Sequence, residues 1–203
     1  MSLVALAACS NNGIDKNSEF SGAPSSCADS AEVARQEILN FVGDLYSESV
    51  SFNSSGEVEG SSSSRRCFAA YTDSESRWDI SDADLNNPQQ RSVNFYFMIN
   101  VGDENSLGTR TERTRRVFEQ NKPSDSVDCA GIGDDCYIVS ETRNGSCTTA
   151  LKFRTGNLIF QIQLGTSTYE RLKPPLGYES SSEASVRAIA SAFASNLENL
   201  IPM

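Results

Sequence analysis

Six cysteines and no histidine set the chemistry open to this chain. The cysteines are Cys9, Cys27, Cys67, Cys129, Cys136 and Cys147. Thiolates can hold zinc, exchange electrons or pair as disulfides. Their spacings match no zinc ribbon or finger, and without histidine no mixed site can be completed. No C-x-x-C occurs, which leaves a thioredoxin-like redox centre without its motif. No metal or cofactor is expected. Disulfides remain, and they are the default in an exported protein. With Cys9 set aside for another use, five cysteines allow at most two bridges and one free thiol. Cys27 stands just before the first helical pattern and Cys67 at the start of a strand pattern, so these two are paired. Such a loop closure stabilises a fold by roughly 3–4 kcal/mol in the chain-entropy picture. The second bridge takes two of Cys129, Cys136 and Cys147. If Asn144-Gly145 is a two-residue hairpin turn, Cys147 faces Thr142 and Cys136 faces Phe153. A bridge using Cys129 is then favoured, its partner left open.

Other reactive patterns are sparse. The lack of histidine excludes a Ser-His-Asp triad. No S-x-x-K is present for a Ser-Lys hydrolase, and the acids Asp134-Asp135 have no evident partner. Gly131-x-Gly133 lacks the third glycine and the strand-to-helix setting of a dinucleotide site, and reads as a turn. Asp79, Asp82, Asp84 and Asn86 lack the glycine and terminal glutamate of a calcium loop and read as solvated. Arg110, Arg113, Arg115 and Arg116 cluster in one helical stretch. They are candidates for an acidic partner, a phosphate or a cell-wall polymer, against the plainer reading of a solvated helix face. Trp78, in a polar loop, is a second candidate contact, or a plug at the edge of the core. The net charge of −10 repels nucleic acid and anionic headgroups, so no nucleic-acid partner is expected.

The N-terminus carries an address. Leu6-Ala7-Ala8-Cys9 resembles a bacterial lipobox, in which the cysteine thiol takes a diacylglycerol. Only eight residues precede Cys9, fewer than a full leader has, so residues 1–9 read as the remnant of a lipoprotein signal. Residues 10–26 are polar, with Asn11, Asn12, Gly13, Gly22 and Pro24, and read as a flexible tether. No other stretch approaches the ~18 apolar residues of a membrane span. A lipidated chain would be anchored to the membrane without crossing it.

The elements that position these residues fall in a simple order within one domain, residues 27–203, with halves of about 27–122 and 123–203. A helix is expected from about Ala31 to Val42, opened by an Asp29/Glu32 capping box and stopped by Gly43. A Ser/Gly/Glu loop follows, then a strand from Arg66 to Tyr71. Ser92 to Val101 is a clear strand, with Val93, Phe95, Phe97, Ile99 and Val101 alternating with polar neighbours. A Thr109/Glu112 capping box opens a helix to about Gln120, and Pro123 follows. Strands are expected at Cys136–Thr142, Cys147–Arg154 and Leu158–Leu164, the last two joined at Gly156-Asn157. Residues Thr166 to Glu179 read as a loop. The last helix starts at Ser180/Glu183 and buries Val186, Ile189, Phe193, Leu197 and Leu200. The fold class is α+β, an antiparallel sheet with amphipathic helices on one face, and the halves suggest a β-β-α pseudo-repeat.

The run Gly131-Ile132-Gly133-Asp134-Asp135, followed by Arg154-Thr155-Gly156-Asn157-Leu158-Ile159, resembles the G-x-G-D … R-x-G-N pattern of actinobacterial cell-envelope lipoproteins of unknown function. Those proteins also place a cysteine before the first helix and another on a strand, as Cys27 and Cys67 stand here. The match covers about Ser26 to Ile201. It implies an extracytoplasmic domain, distantly like extracellular kinase sensor domains, and it transfers no catalytic residues. Cys129, Cys136 and Cys147 look specific to this chain. The expected function is that of a lipid-anchored binding or sensing module, not an enzyme, on the extracytoplasmic face of the membrane. Its partner is a protein or cell-wall ligand. The alternatives are an extracytoplasmic hydrolase and a carrier whose Phe95, Phe97, Phe160, Ile162, Ile189 and Phe193 line an open apolar groove instead of a packed core.

Overall fold

A computed structural model describes residues 19–43, 52–59, 61–72, 89–102, 108–143, 146–168 and 178–203. Cys9, Trp78, the Asp79–Asn86 acids and the Asn144-Gly145 turn lie outside the described residues. The described strands are β1 Asn53–Glu59, β2 Ser62–Thr72, β3 Gln89–Asn100, β4 Val127–Cys129, β5 Asp135–Arg143, β6 Ser146–Thr155 and β7 Leu158–Thr168. They form one sheet in the order β1-β2-β3-β7-β6-β5-β4, every pair antiparallel. Two meanders are thus joined where β3 meets β7. The described helices are α1 Cys27–Glu32, α2 Arg35–Val42, α3 Arg110–Gln120, α4 Tyr178–Ala194 and α5 Leu197–Leu200.

The fold is therefore α+β, with amphipathic helices on an antiparallel sheet. Alternation decides which side of each strand is dry. Val93, Phe95, Phe97 and Ile99 of β3 and Leu158, Phe160, Ile162 and Leu164 of β7 all point to one face, fully buried. Val186, Ile189, Ala190 and Phe193 of α4 cover them. The Phe193 ring lies 4.7 Å from Phe160 and 5.1 Å from Phe95, and Phe97 lies 4.8 Å from Phe160. These aromatic residues pack on each other and leave no open groove among themselves. Helices α1, α2 and α5 extend the same layer. Helix α3 packs against the other face, where Phe118 meets Tyr137 and Ile159, with Met98 and Val139 beside them. The last helix of each half thus lies on a different face. A β-β-α pseudo-repeat is not confirmed by this arrangement.

Several boundaries differ from the sequence reading. The first helix is two helices. Ser26 Oγ accepts the Asp29 N–H at 3.2 Å and opens α1, so the cap is Ser26 and not Asp29. The chain then breaks at Val33–Ala34, burying Cys27 and Ser30 on α1 and Ile38, Phe41 and Val42 on α2. The ordered body also begins before Cys27. Phe20 is fully buried, so residues 19–26 of the expected tether belong to the domain. Strand β1 arises where a Ser/Gly/Glu loop was expected, and β4 adds a short edge strand before β5. Helix α3 has the expected cap: Thr109 Oγ1 accepts the Glu112 N–H at 3.2 Å, and Glu112 Oε2 accepts the Thr109 N–H at 2.8 Å. Those bonds, the backbone one first, hold the Glu112 carboxyl below its usual range.

Candidate binding face

The cysteines are structural where they are described. Cys27 and Cys67 are joined, tying α1 to β2 across 40 residues with Cα atoms 5.6 Å apart. Cys129 and Cys136 are joined across β4 and β5, where the register sets them opposite each other. Cys147 is a buried free thiol opposite Thr142, while Cys136 faces Phe153. Two disulfides fit an oxidising, extracytoplasmic compartment. Among the described residues no three acids or thiols gather to hold a metal, and no helix is long and apolar enough to cross a membrane.

The glycine and aspartate motif also builds the fold. Asp135 is paired with Arg154 in the β5–β6 register. Asp134 and Asp135 grip the Arg154 guanidinium at 3.0 and 2.7 Å, so the acidic pair has a partner that spacing alone did not show. Arg154 is buried, and Asp134 also accepts the Gly156 N–H at 3.0 Å. Gly133 has φ +64°, and a Cβ there would stand 2.5 Å from the Arg154 carbonyl oxygen. Asn157 is buried and bonds the Phe20 backbone and the Asn100 carbonyl. The glycine and aspartate motif, with Arg154 and Asn157, is therefore a clamp on β5, β6 and the N-terminal segment.

The arginine cluster is largely occupied. Arg110 donates to the Gly102 carbonyl at 2.8 Å and pairs with Glu19 at 3.2 Å. Arg113 donates to the Gly108 and Gly102 carbonyls at 3.1 and 2.9 Å. Arg115 pairs with Glu119 at 2.9 Å, and Arg116 is exposed on the outer side of α3. Arg110 and Arg113 thus pin the chain on either side of the β3–α3 connection and do not form an open basic patch.

What the described residues leave uncovered is the sheet face beside α3. The registers align Arg66, Tyr96, Gln161, Lys152 and Tyr137 in one row across β2, β3, β7, β6 and β5. The next row is Phe68, Asn94, Gln163, Ala150 and Val139, and the one after it Ala70, Ser92, Gly165, Thr148 and Glu141. Helix α3 walls the side nearest Met98 and Ile159. At the other end lies an open cleft of about 220 Å³, lined by Gln90, Ser92, Ser146, Thr148, Gly165 and Thr166 with Cys147. Gly165 keeps its floor low, since a Cβ there would meet Ser92 Oγ at 2.4 Å. Phe68 is 41 % exposed on this face, and Asn94 Oδ1 is buried with no hydrogen-bond partner among the described residues. The Arg66 guanidinium carbon lies 5.4 Å from the Tyr96 ring centre. Lys152 Nζ lies 5.8 Å from the ring centre of Tyr137, whose hydroxyl donates to the Asn121 carbonyl at 3.2 Å. Burial lowers the Lys152 pKa and raises that of Tyr137. Carboxamides, hydroxyls, rings and two cations can bind through hydrogen bonds, stacking and charge. Cys147 apart, none of these residues stands out in the sequence, because most occupy the polar parity of their strands.

No protein-family model matches this chain, and no curated protein or solved structure is significantly similar to it.

Proposed function

We propose that the chain is an extracytoplasmic binding or sensing module, tethered to the outer face of a bacterial membrane by a lipid on Cys9, that meets its partner with the open face of the sheet. The observation that carries this reading is the Arg66–Lys152 row with the cleft beyond it: polar and aromatic groups aligned over four strands and left uncovered by the described residues, while Tyr137 at the end of the row is buried under α3. A face needed only for solubility gains nothing from an exposed phenylalanine, Phe68, set beside Tyr96 on the neighbouring strand. The two disulfides and the Leu6-Ala7-Ala8-Cys9 motif support the location. The carrier reading loses support because the residues that would line its groove are packed against one another.

The test is mass spectrometry of molecules that co-purify with the protein from its native envelope. A Tyr96→Ala/Gln161→Ala variant is compared with Ala188→Ser on the exposed side of α4. Molecules retained by the parent and Ala188→Ser but lost from the double variant support the face. Identical sets from all three refute it.

A further inference from the structure

Lys152 is a half-buried cation with no anion beside it. Its neighbours on the open face are Ala150 and Arg154 along the strand and Gln161 and Tyr137 across it. None is a carboxylate, and Arg154 already holds Asp134 and Asp135. Among the described residues the Lys152 ammonium makes no ion pair and no hydrogen bond, only its contact with the Tyr137 ring. Arg66, exposed to water, stands over Tyr96 at the other end of the row, also without an acid among the described residues. The chain has 27 acidic residues against 17 basic ones, so acids to neutralise two cations were plentiful. Drawing an ammonium out of water is costly unless a counter-charge meets it. Among the described residues no counter-charge meets Lys152.

We propose that the row from Arg66 to Lys152 docks an extended acidic peptide segment of a partner protein, with one carboxylate at each cation. This rests on the reading of the open face as the binding surface. Three strand spacings separate the two positions, about 14 Å at ~4.8 Å each. An extended peptide rises about 3.4 Å per residue, so acids four positions apart span that distance and point the same way. Between the cations stand Gln161 and, one row over, Asn94 and Gln163, whose carboxamides match peptide N–H and C=O groups. Tyr96 and exposed Phe68 supply apolar contact. A phosphate polymer would accept from the carboxamide N–H groups but offer no donor to their carbonyl oxygens, whereas a peptide pairs with both, so the peptide is favoured.

The experiment titrates the folded protein at low salt with a fluorescent peptide carrying two glutamates four positions apart. Its twin carries glutamines, and inorganic polyphosphate serves as competitor. The glutamate peptide binds, its twin binds at least about tenfold more weakly, and added salt weakens binding. Lys152→Gln and Arg66→Gln each weaken binding by about tenfold, while Lys152→Gln leaves the unfolding midpoint unchanged or raised. Equal binding of the twins, unchanged affinity in both variants, or displacement by polyphosphate at a lower concentration than by unlabelled glutamate peptide would each overturn the proposal. Cross-linking from Gln161 in the native envelope separates the two readings. Cross-links there with no glutamate-peptide binding overturn the acidic partner and leave the binding face standing.

Discussion

Asn157 holds the backbone of Phe20 on both sides: its Oδ1 accepts the Phe20 N–H and its Nδ2 donates to the Phe20 carbonyl, each at 2.8 Å. The same Nδ2 reaches the Asn100 carbonyl at 2.8 Å. One buried carboxamide thus joins the N-terminal segment, the end of β3 and the β6–β7 turn. Asn157→Ala leaves buried backbone groups unpaired and should cost about 2–4 kcal/mol, because several bonds are lost together. Amide exchange should accelerate first at Phe20 and Ser21. A midpoint unchanged in denaturant, with Phe20 still protected, would show that the clamp does not hold the segment.

Arg154 and Gly133 offer a second test. Arg154→Met leaves Asp134 and Asp135 without their cation, but both acids are partly exposed, so water takes up much of the loss. The expected cost is about 1–3 kcal/mol. Gly133→Ala adds a Cβ against the β6 backbone at a positive φ and should cost about 2 kcal/mol or more. Thermal melts that leave either variant at the parent midpoint would contradict the structural role of the motif.

The Cys27–Cys67 bridge makes a covalent prediction. Peptide mapping without reductant should recover that pair and, separately, Cys129 with Cys136, leaving Cys147 as the thiol that alkylates only on unfolding. The double variant Cys27→Ser/Cys67→Ser should lose about 3–4 kcal/mol. Recovery of either cysteine as a free thiol from exported protein counts against the bridge.

The aromatic core sets the scale of stability. Phe160→Ala and Phe193→Ala each remove a fully buried ring and should cost about 3–5 kcal/mol, since transfer and cavity terms add. Denaturant midpoints equal to the parent's would reopen the groove reading.

Lys152 and Tyr137 give a pH dependence of opposite signs. The folded Lys152 pKa lies below its unfolded value, so the unfolded chain binds more protons between the two, and stability rises with pH across that interval. The folded Tyr137 pKa lies above its unfolded value, so its contribution is full below the unfolded pKa and fades as pH climbs through the folded one. Stability gained by Lys152→Met relative to the parent should therefore shrink as pH rises toward the ordinary lysine range. The cost of Tyr137→Phe should shrink as pH passes the tyrosine range. Midpoint differences that stay flat with pH would mean that neither group is desolvated.

Much of the fold was legible where alternation was strong. Phe95, Phe97 and Phe160 announced their strands, and Thr109 with Glu112 announced α3. Strand β1 was not legible, because Asn53–Glu59 has little apolar alternation and lies at the sheet edge, where pairing with β2 alone defines it. The break between α1 and α2 was masked by apolar spacing that continues through Val33 and Ala34. The pairing of Arg154 was not legible, because only the strand register brings Asp135 opposite it. The candidate face was not legible for the same reason. Arg66, Tyr96, Gln161 and Lys152 lie far apart in the chain, and only the order β2-β3-β7-β6 aligns them. One signal was present: Tyr96 and Tyr137 are aromatic at positions whose neighbours are polar-facing.

The most direct test of the binding face places a photo-cross-linking amino acid at Gln161, mid-row, or at Ala188, exposed on α4, in the protein expressed in its native envelope. The account predicts a discrete adduct from Gln161 that disappears when Tyr96→Ala is added, and none from Ala188. Adducts from Ala188 alone, or from neither position, would contradict it.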